Sequence, residues 1–230
     1  MKMETKLQSI IILFGLVFIQ LSCQNENTKA IEKTKIENKT ESVKTDKKKT
    51  ILFFGNSITA AFGLEPSEAF SSLIQEKIDS LGLNYICVNA GNSGETTKGG
   101  LSRLDWVLKE PVEIFVLELG ANDGLRGYTV EDSKKNLSQI VKNFKKKNPD
   151  SKVLLAGMKV PPNMGNEYYL DFEKMYTDIA KEENIALIPF ILENVAGIKE
   201  LNLPDGIHPT AEGHRIVTET VWKHLFPLLE

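Results

Sequence analysis

Four consecutive apolar residues, Ile51-Leu52-Phe53-Phe54, run into Gly55-Asn56-Ser57, and beyond them the apolar positions change period. Phe70, Leu73, Ile74, Ile78 and Leu81 recur at helical spacing and stop at Gly82. The same switch repeats along the chain. Short β-favouring runs at Tyr85 to Asn89, Glu113 to Leu119, Lys152 to Ala156 and Ile185 to Pro189 alternate with helical stripes. Those stripes are Leu101/Leu104/Val107/Leu108, Leu137/Ile140/Val141/Phe144, Phe172/Met175/Tyr176/Ile179 and Ile216/Val217/Val221/Leu225. Pro111 ends the second helix, and Thr129, with Asp132 three residues on, is a candidate N-cap for the third. Strand and helix in strict alternation predict a doubly wound α/β fold. The expected architecture is a three-layer α/β/α sandwich with a central, mainly parallel five-stranded sheet, flavodoxin-like in plan.

The pattern does not extend to the N-terminus. Lys2 and Lys6 precede an apolar run from Ile10 to Ile19, the length of a signal-peptide core and too short to span a bilayer comfortably. Gln20-Leu21-Ser22-Cys23 follows and resembles a bacterial lipoprotein signal, in which the cysteine is lipidated after cleavage; Gln20 stands where Leu is usual. Residues 24 to 49 are rich in Lys, Glu, Asn and Thr and too poor in large apolar side chains to offset the entropy of ordering them. The expected organisation is therefore a signal peptide over 1–22, a lipidated Cys23 with a flexible polar linker to 49, and one folded domain over 50–230. On this reading the protein sits in the cell envelope of a bacterium, on a periplasmic or outer-membrane face, with a membrane as partner through its lipid anchor.

Composition narrows the function classes. The chain of 230 residues is 41% hydrophobic and 26% charged with a formal net charge of -3, so it lacks the basic surface that nucleic-acid phosphates require. Two distant cysteines, Cys23 and Cys87, and the histidines His208, His214 and His224 show no zinc-ligand spacing, so neither metal nor cofactor is expected. Cys87 reads as a small core residue, and His214 and His224 as members of the last helix.

The candidate chemistry lies where strands end. Asn89-Ala90-Gly91-Asn92-Ser93-Gly94-Glu95-Thr96 follows the second strand and Gly120-Ala121-Asn122-Asp123-Gly124 the third, while Asp205-Gly206-Ile207-His208-Pro209 precedes the last helix. In a parallel sheet all carboxyl ends face one way, so these loops would share a crevice with Ser57. A serine, a histidine, an aspartate three residues before it, a glycine and an asparagine are the parts needed for acyl transfer. Gly55-Asn56-Ser57-Ile58, Gly94, Gly120-Ala121-Asn122-Asp123 and Asp205-Gly206-Ile207-His208 resemble the four blocks of the SGNH, or GDSL, hydrolase family. The run from Glu118 to Gly127 is similar to the family's secreted acyl-CoA thioesterase, lysophospholipase and arylesterase group. Asn56 and Ile58 stand where the family usually has Asp and Leu.

The resemblance implies Ser57 as nucleophile, His208 as general base and Asp205 as its orienting carboxylate, with an oxyanion hole formed by the amides of Ser57 and Gly94 and the side chain of Asn122. The expected activity is hydrolysis of carboxylic esters or thioesters through an acyl-enzyme, with small or medium acyl esters or lysophospholipids as substrates. The alternatives are a carbohydrate acetylesterase with the same catalytic parts and a non-catalytic lipid- or glycan-binding envelope protein. Asp123 is expected to serve structure, and Asn56 to keep the turn's shape while dropping a charge. Arg126 is expected either to bond loop carbonyls or to meet an anionic group on the substrate. The stretch from Gly157 to Leu170 reads as a long loop shaping the acyl pocket, with Met158, Met164, Tyr168 and Tyr169 as its apolar content.

Overall fold

The structure, a computed structural model, describes residues 47–229. The signal peptide, Cys23 and most of the linker lie outside these residues.

Five strands form one parallel sheet: β1 (Lys49–Gly55), β2 (Tyr85–Gly91), β3 (Ile114–Glu118), β4 (Lys152–Ala156) and β5 (Ala186–Ile188). Their order across the sheet is β2-β1-β3-β4-β5. Successive strands therefore leave β1 in opposite directions, and the crevice of the sheet opens between the carboxyl ends of β1 and β3, where Gly55 pairs with Glu118. The apolar run of β1 is buried from Ile51 onward and β3 throughout, as a strand covered on both faces demands.

The helices are α1 (Phe70–Ser80), α2 (Thr97–Val107), α3 (Ala121–Leu125), α4 (Val130–Lys147), α5 (Asn166–Glu182) and α6 (Ala211–Leu225). α1 packs on α6, while α2, α4 and α5 pack side by side. The alternation of β1 side chains shows the two layers directly. Phe53 meets Phe70 of α1 edge-on at 5.5 Å, and Phe54 lies 5.6 Å from Phe115, which stacks on Phe144 of α4 at 4.4 Å.

Local signals act as the sequence suggests. Gly82, at φ +65°, ends α1, with its amide donating to Asp79 O and that of Leu83 to Ile78 O. Thr129 caps α4 by accepting from Asp132 N at 3.1 Å.

Three expectations need correction. The block after β3 is not a plain loop: Ala121 to Leu125 form α3, entered through Gly120 at φ +119°. The stretch after β4 is shorter than expected, because Asn166 already begins α5; Tyr168 and Tyr169 are helical, and Tyr168 donates to Tyr128 O at 2.7 Å. Cys87 lies half-buried on edge strand β2, where burial pushes its thiol up to about 12. There Gln75 of α1 covers the open backbone, accepting from Cys87 N at 2.6 Å and donating to Tyr85 O at 3.3 Å, which shields an edge that could pair with another chain. Among the described residues no helix is long and apolar enough to cross a membrane.

His214 of α6 is buried and accepts from Phe70 N at 3.1 Å through Nδ1, which ties α6 to the start of α1. Burial lowers its pKa to about 4. The native state thus keeps His214 neutral where the unfolded chain, near 6.5, takes up a proton. Its contribution to stability is full above about 6.5 and declines as pH falls toward 4. Denaturant unfolding of the wild type is expected to lose more stability across that window than His214→Gln does; equal losses would refute this assignment.

Candidate active site

The carboxyl end of β1 turns over a buried carboxylate. Glu118, the last residue of β3, accepts from Asn56 N at 3.1 Å, Asn56 Nδ2 at 2.7 Å, Thr59 N at 3.3 Å and Thr59 Oγ1 at 2.8 Å. Asn56 Oδ1 in turn accepts from Ile58 N at 3.0 Å, an Asx-type turn across Ser57. Gly55 makes this possible. A Cβ there would sit 2.6 Å from Glu118 Oε2 and 2.1 Å from Thr59 Oγ1. Burial raises the Glu118 carboxyl to about 7, against the pull of its four donors.

Ser57 emerges from this turn with only 8% of its surface exposed. Its Oγ lies 2.9 Å from His208 Nε2, and His208 Nδ1 lies 2.7 Å from Asp205 Oδ2. The loop bearing Asp205 and His208 is held at both ends. Leu203 N donates to His208 O at 2.7 Å, and Asp205 Oδ1 accepts from Ile207 N and His208 N at 2.8 and 3.0 Å. The bond to the His208 side chain, followed by these two amides, holds Asp205 down at about 2. An ionised Asp205 accepts a hydrogen bond from Nδ1–H of His208, which fixes that tautomer and leaves the lone pair of Nε2 toward the Ser57 hydroxyl. The half-exposed Phe62 ring covers the imidazole at 4.6 Å.

The loop after β2 completes the crevice. Asn92 N donates to Gly55 O at 2.9 Å, and Gly94 adopts φ +79°. Asn122 Nδ2 donates to Glu95 O at 3.0 Å and Arg126 Nη2 to Gly94 O at 3.0 Å, so α3 is tied to the glycine loop at two adjacent carbonyls. Beneath them Arg103 grips both oxygens of the buried Glu95 at 2.6 Å, donates to Ala90 O at 2.8 Å, and stacks its guanidinium 4.0 Å from the Phe54 ring centre. Asp123 accepts from Thr97 N and Oγ1 at 2.8 and 2.6 Å, a structural task that crosses to α2. Among the described residues the amides of Ser57 and Gly94 donate to no protein atom.

Ser57, Asp205 and His208 therefore converge, and Asn122 bonds the carbonyl of Glu95, the residue that follows Gly94. Arg126 bonds a loop carbonyl. Glu118, the Glu95–Arg103 pair and Phe62 were not singled out from the sequence. Glu118 alone left a signal, a charged residue closing an otherwise apolar strand directly before Leu119-Gly120-Ala121-Asn122.

A cavity of about 390 Å³ opens here, lined by Ile58, Ala121, Leu125, Met158, Val160 and Phe190 among others. Ile58 follows Ser57, Ala121 precedes Asn122, and Ile207, also on its wall, precedes His208. Met158 and Pro161 of the stretch after β4 line it; Met164, Tyr168 and Tyr169 do not. A second groove, of about 680 Å³, is walled by Lys98, Arg126 and Lys135 together with Asp123, Asp132 and Tyr128.

A parallel sheet with a Ser-His-Asp line at its carboxyl edge is the frame of a serine hydrolase. Residues 53–216 match the GDSL-like Lipase/Acylhydrolase family, and the chain belongs to it. The chain is 41% identical to esterase TesA of Pseudomonas aeruginosa over 181 residues, 78% of this chain and 89% of that protein. It is 35% identical to the thioesterase 1/protease 1/lysophospholipase L1 of Escherichia coli K12, covering 78% and 85% respectively. The crystal structure of TesA superposes with a TM-score of 0.76 at 40% identity, over 79% of this chain and all of that one. The psychrotrophic esterase EstA of Pseudoalteromonas gives 0.73 at 32% identity, over 77% and 97%. The chain is an ester-bond hydrolase of the serine esterase and thioesterase type.

Proposed function

We propose that the enzyme hydrolyses carboxylic esters and thioesters of small to medium acyl chains through an acyl-enzyme on Ser57. The observation that carries this reading is the continuous hydrogen-bond line from Asp205 through His208 to Ser57, at 2.7 and 2.9 Å. As Ser57 Oγ attacks the acyl carbon, His208 Nε2 takes its proton and Asp205 stabilises the imidazolium. The oxygen of the tetrahedral intermediate is bound by the amides of Ser57 and Gly94 and by the Asn122 side chain. His208 then protonates the leaving alcohol or thiol, and a water activated by the same imidazole releases the acid.

The apolar walls of the 390 Å³ cavity favour an acyl chain longer than acetyl over the removal of acetyl groups from carbohydrate. Chain-length preference then depends on the cavity's side chains, among them Phe190, whose truncation lengthens it.

The envelope location rests on Ser22-Cys23 after the Ile10–Ile19 run, and we propose that Cys23 carries the lipid. The linker enters β1 at Lys49, and Ser57 follows the opposite end of that seven-residue strand, about 20 Å away. The mouth of the site is thus at the end of the strand opposite Lys49. Mass spectrometry of protein from membranes should find Cys23 as an acylated N-terminus; an unmodified Cys23 within a longer chain would refute the anchor.

Turnover of p-nitrophenyl esters of graded chain length, beside acetylated sugars, tests the activity. Maximal kcat/KM is expected on chains longer than acetyl, moved to longer chains in Phe190→Ala. Ser57→Ala should abolish turnover, and Asn122→Ala should cost roughly a hundred- to a thousandfold in kcat. A preference for acetylated sugars would transfer the assignment to carbohydrate acetylesterase. A wild type no faster than Ser57→Ala on every substrate would point to a binding protein.

A further inference from the structure

We propose that Glu118 is a positioning residue for the reaction, a buried carboxylate that fixes the Asn56–Ser57 peptide so that the Ser57 amide faces the oxyanion. The inference rests on the reading of Ser57 as nucleophile and goes beyond it, because Glu118 touches neither the substrate site nor the residues of the Asp205-His208-Ser57 line.

All four hydrogen bonds that Glu118 accepts come from Asn56 and Thr59, on either side of Ser57. Oε2 collects the two backbone amides and the Thr59 hydroxyl, and Oε1 takes the Asn56 side chain alone. Asn56 is fully buried, and its own oxygen reaches past Ser57 to the Ile58 amide. The peptide that carries the Ser57 N–H is therefore clamped by the main chain and side chain of the residue before it, while among the described residues the N–H itself donates to no protein acceptor.

The clamp requires acceptors at both oxygens. In a glutamine at 118, the carbonyl can serve the Oε2 partners, but its amide then meets the Asn56 amide, donor against donor at the position of a 2.7 Å bond. An aspartate at 56 would repair this by accepting from the new amide. The pair would be restored with its polarity reversed, one carboxylate and one amide as before. This reciprocity separates a specific hydrogen-bonded clamp from a side chain that merely fills space, and it can be measured as a coupling between the two positions.

The test is steady-state kinetics on a short p-nitrophenyl ester with E118Q, N56D/E118Q and N56S, each checked for cooperative thermal unfolding. E118Q is expected to lower kcat about thirtyfold with KM within about threefold, below the cost of deleting an oxyanion donor outright because the amide is displaced and not removed. N56D/E118Q should recover at least tenfold of that loss. N56S, which withdraws the Oε1 donor and leaves Glu118 in place, should lower kcat about tenfold with KM unchanged and so tests the clamp even if E118Q does not fold. A kcat for E118Q or N56S within threefold of wild type, or a double variant no faster than E118Q, would overturn the proposal. Loss of all turnover in Ser57→Ala, read in the same assay, confirms the underlying nucleophile separately.

Discussion

A carboxylate removed from water must find its hydrogen-bond donors inside the protein, and at the end of β3 the donors it finds are those of the turn that carries Ser57. The arrangement is costly. Glu118 at about 7 against its ordinary 4.5 means that the native state holds the proton more tightly than the unfolded chain does. Stability from this group is accordingly greatest at low pH and declines as pH rises from about 4.5 to about 7, by about 3 kcal/mol in all. A residue chosen for stability alone would be apolar, as Ile114 to Leu117 of the same strand are. The carboxylate is retained where it holds the turn that carries Ser57.

The same device recurs around the crevice. The buried Glu95, held by Arg103, anchors the loop that presents Gly94, and Asp123 anchors α3, which presents Asn122, to the start of α2. Each candidate oxyanion donor thus has a buried carboxylate beside it: Glu95 and Asp123 follow Gly94 and Asn122 in the sequence, and Glu118 bonds Asn56 and Thr59 on either side of Ser57. Asp205 belongs to the opposite regime, partly exposed, depressed to about 2 and ready to stabilise positive charge on His208. The fold supplies the frame and the carboxylates set the backbone on it, so catalytic geometry depends on hydrogen bonds made outside the reaction itself.

Much of this was legible in the sequence, for reasons that particular residues make plain. The apolar runs of β1 and β3 and the stripes of α4 and α6 repeat at the periods of buried strands and amphipathic helices, so the layers could be read directly. The convergence of Ser57, Asp205 and His208 was legible because loops at the carboxyl ends of parallel strands share one edge of the sheet. Glu118 left only its place at the close of an apolar strand, and no periodicity distinguishes a buried glutamate there from a solvated one. Nor was α3 legible, because Ala121-Asn122-Asp123-Gly124 has the composition of a turn and is made helical by the ties of Asn122, Asp123 and Arg126 to the neighbouring loop and to α2. Tyr168 and Tyr169 were assigned to the acyl pocket on composition alone, whereas the helix that carries them faces elsewhere.

The central claim is that one serine, activated by this line of hydrogen bonds, carries the acyl group. It is tested most directly by peptide mapping in a mass spectrometer after the native enzyme is incubated with a reactive organophosphonate ester. The account predicts a single phosphonyl adduct on Ser57, formed at a rate that falls when His208 is replaced by alanine. An adduct on any other residue, or equal labelling of Ser57 with and without His208, would contradict it.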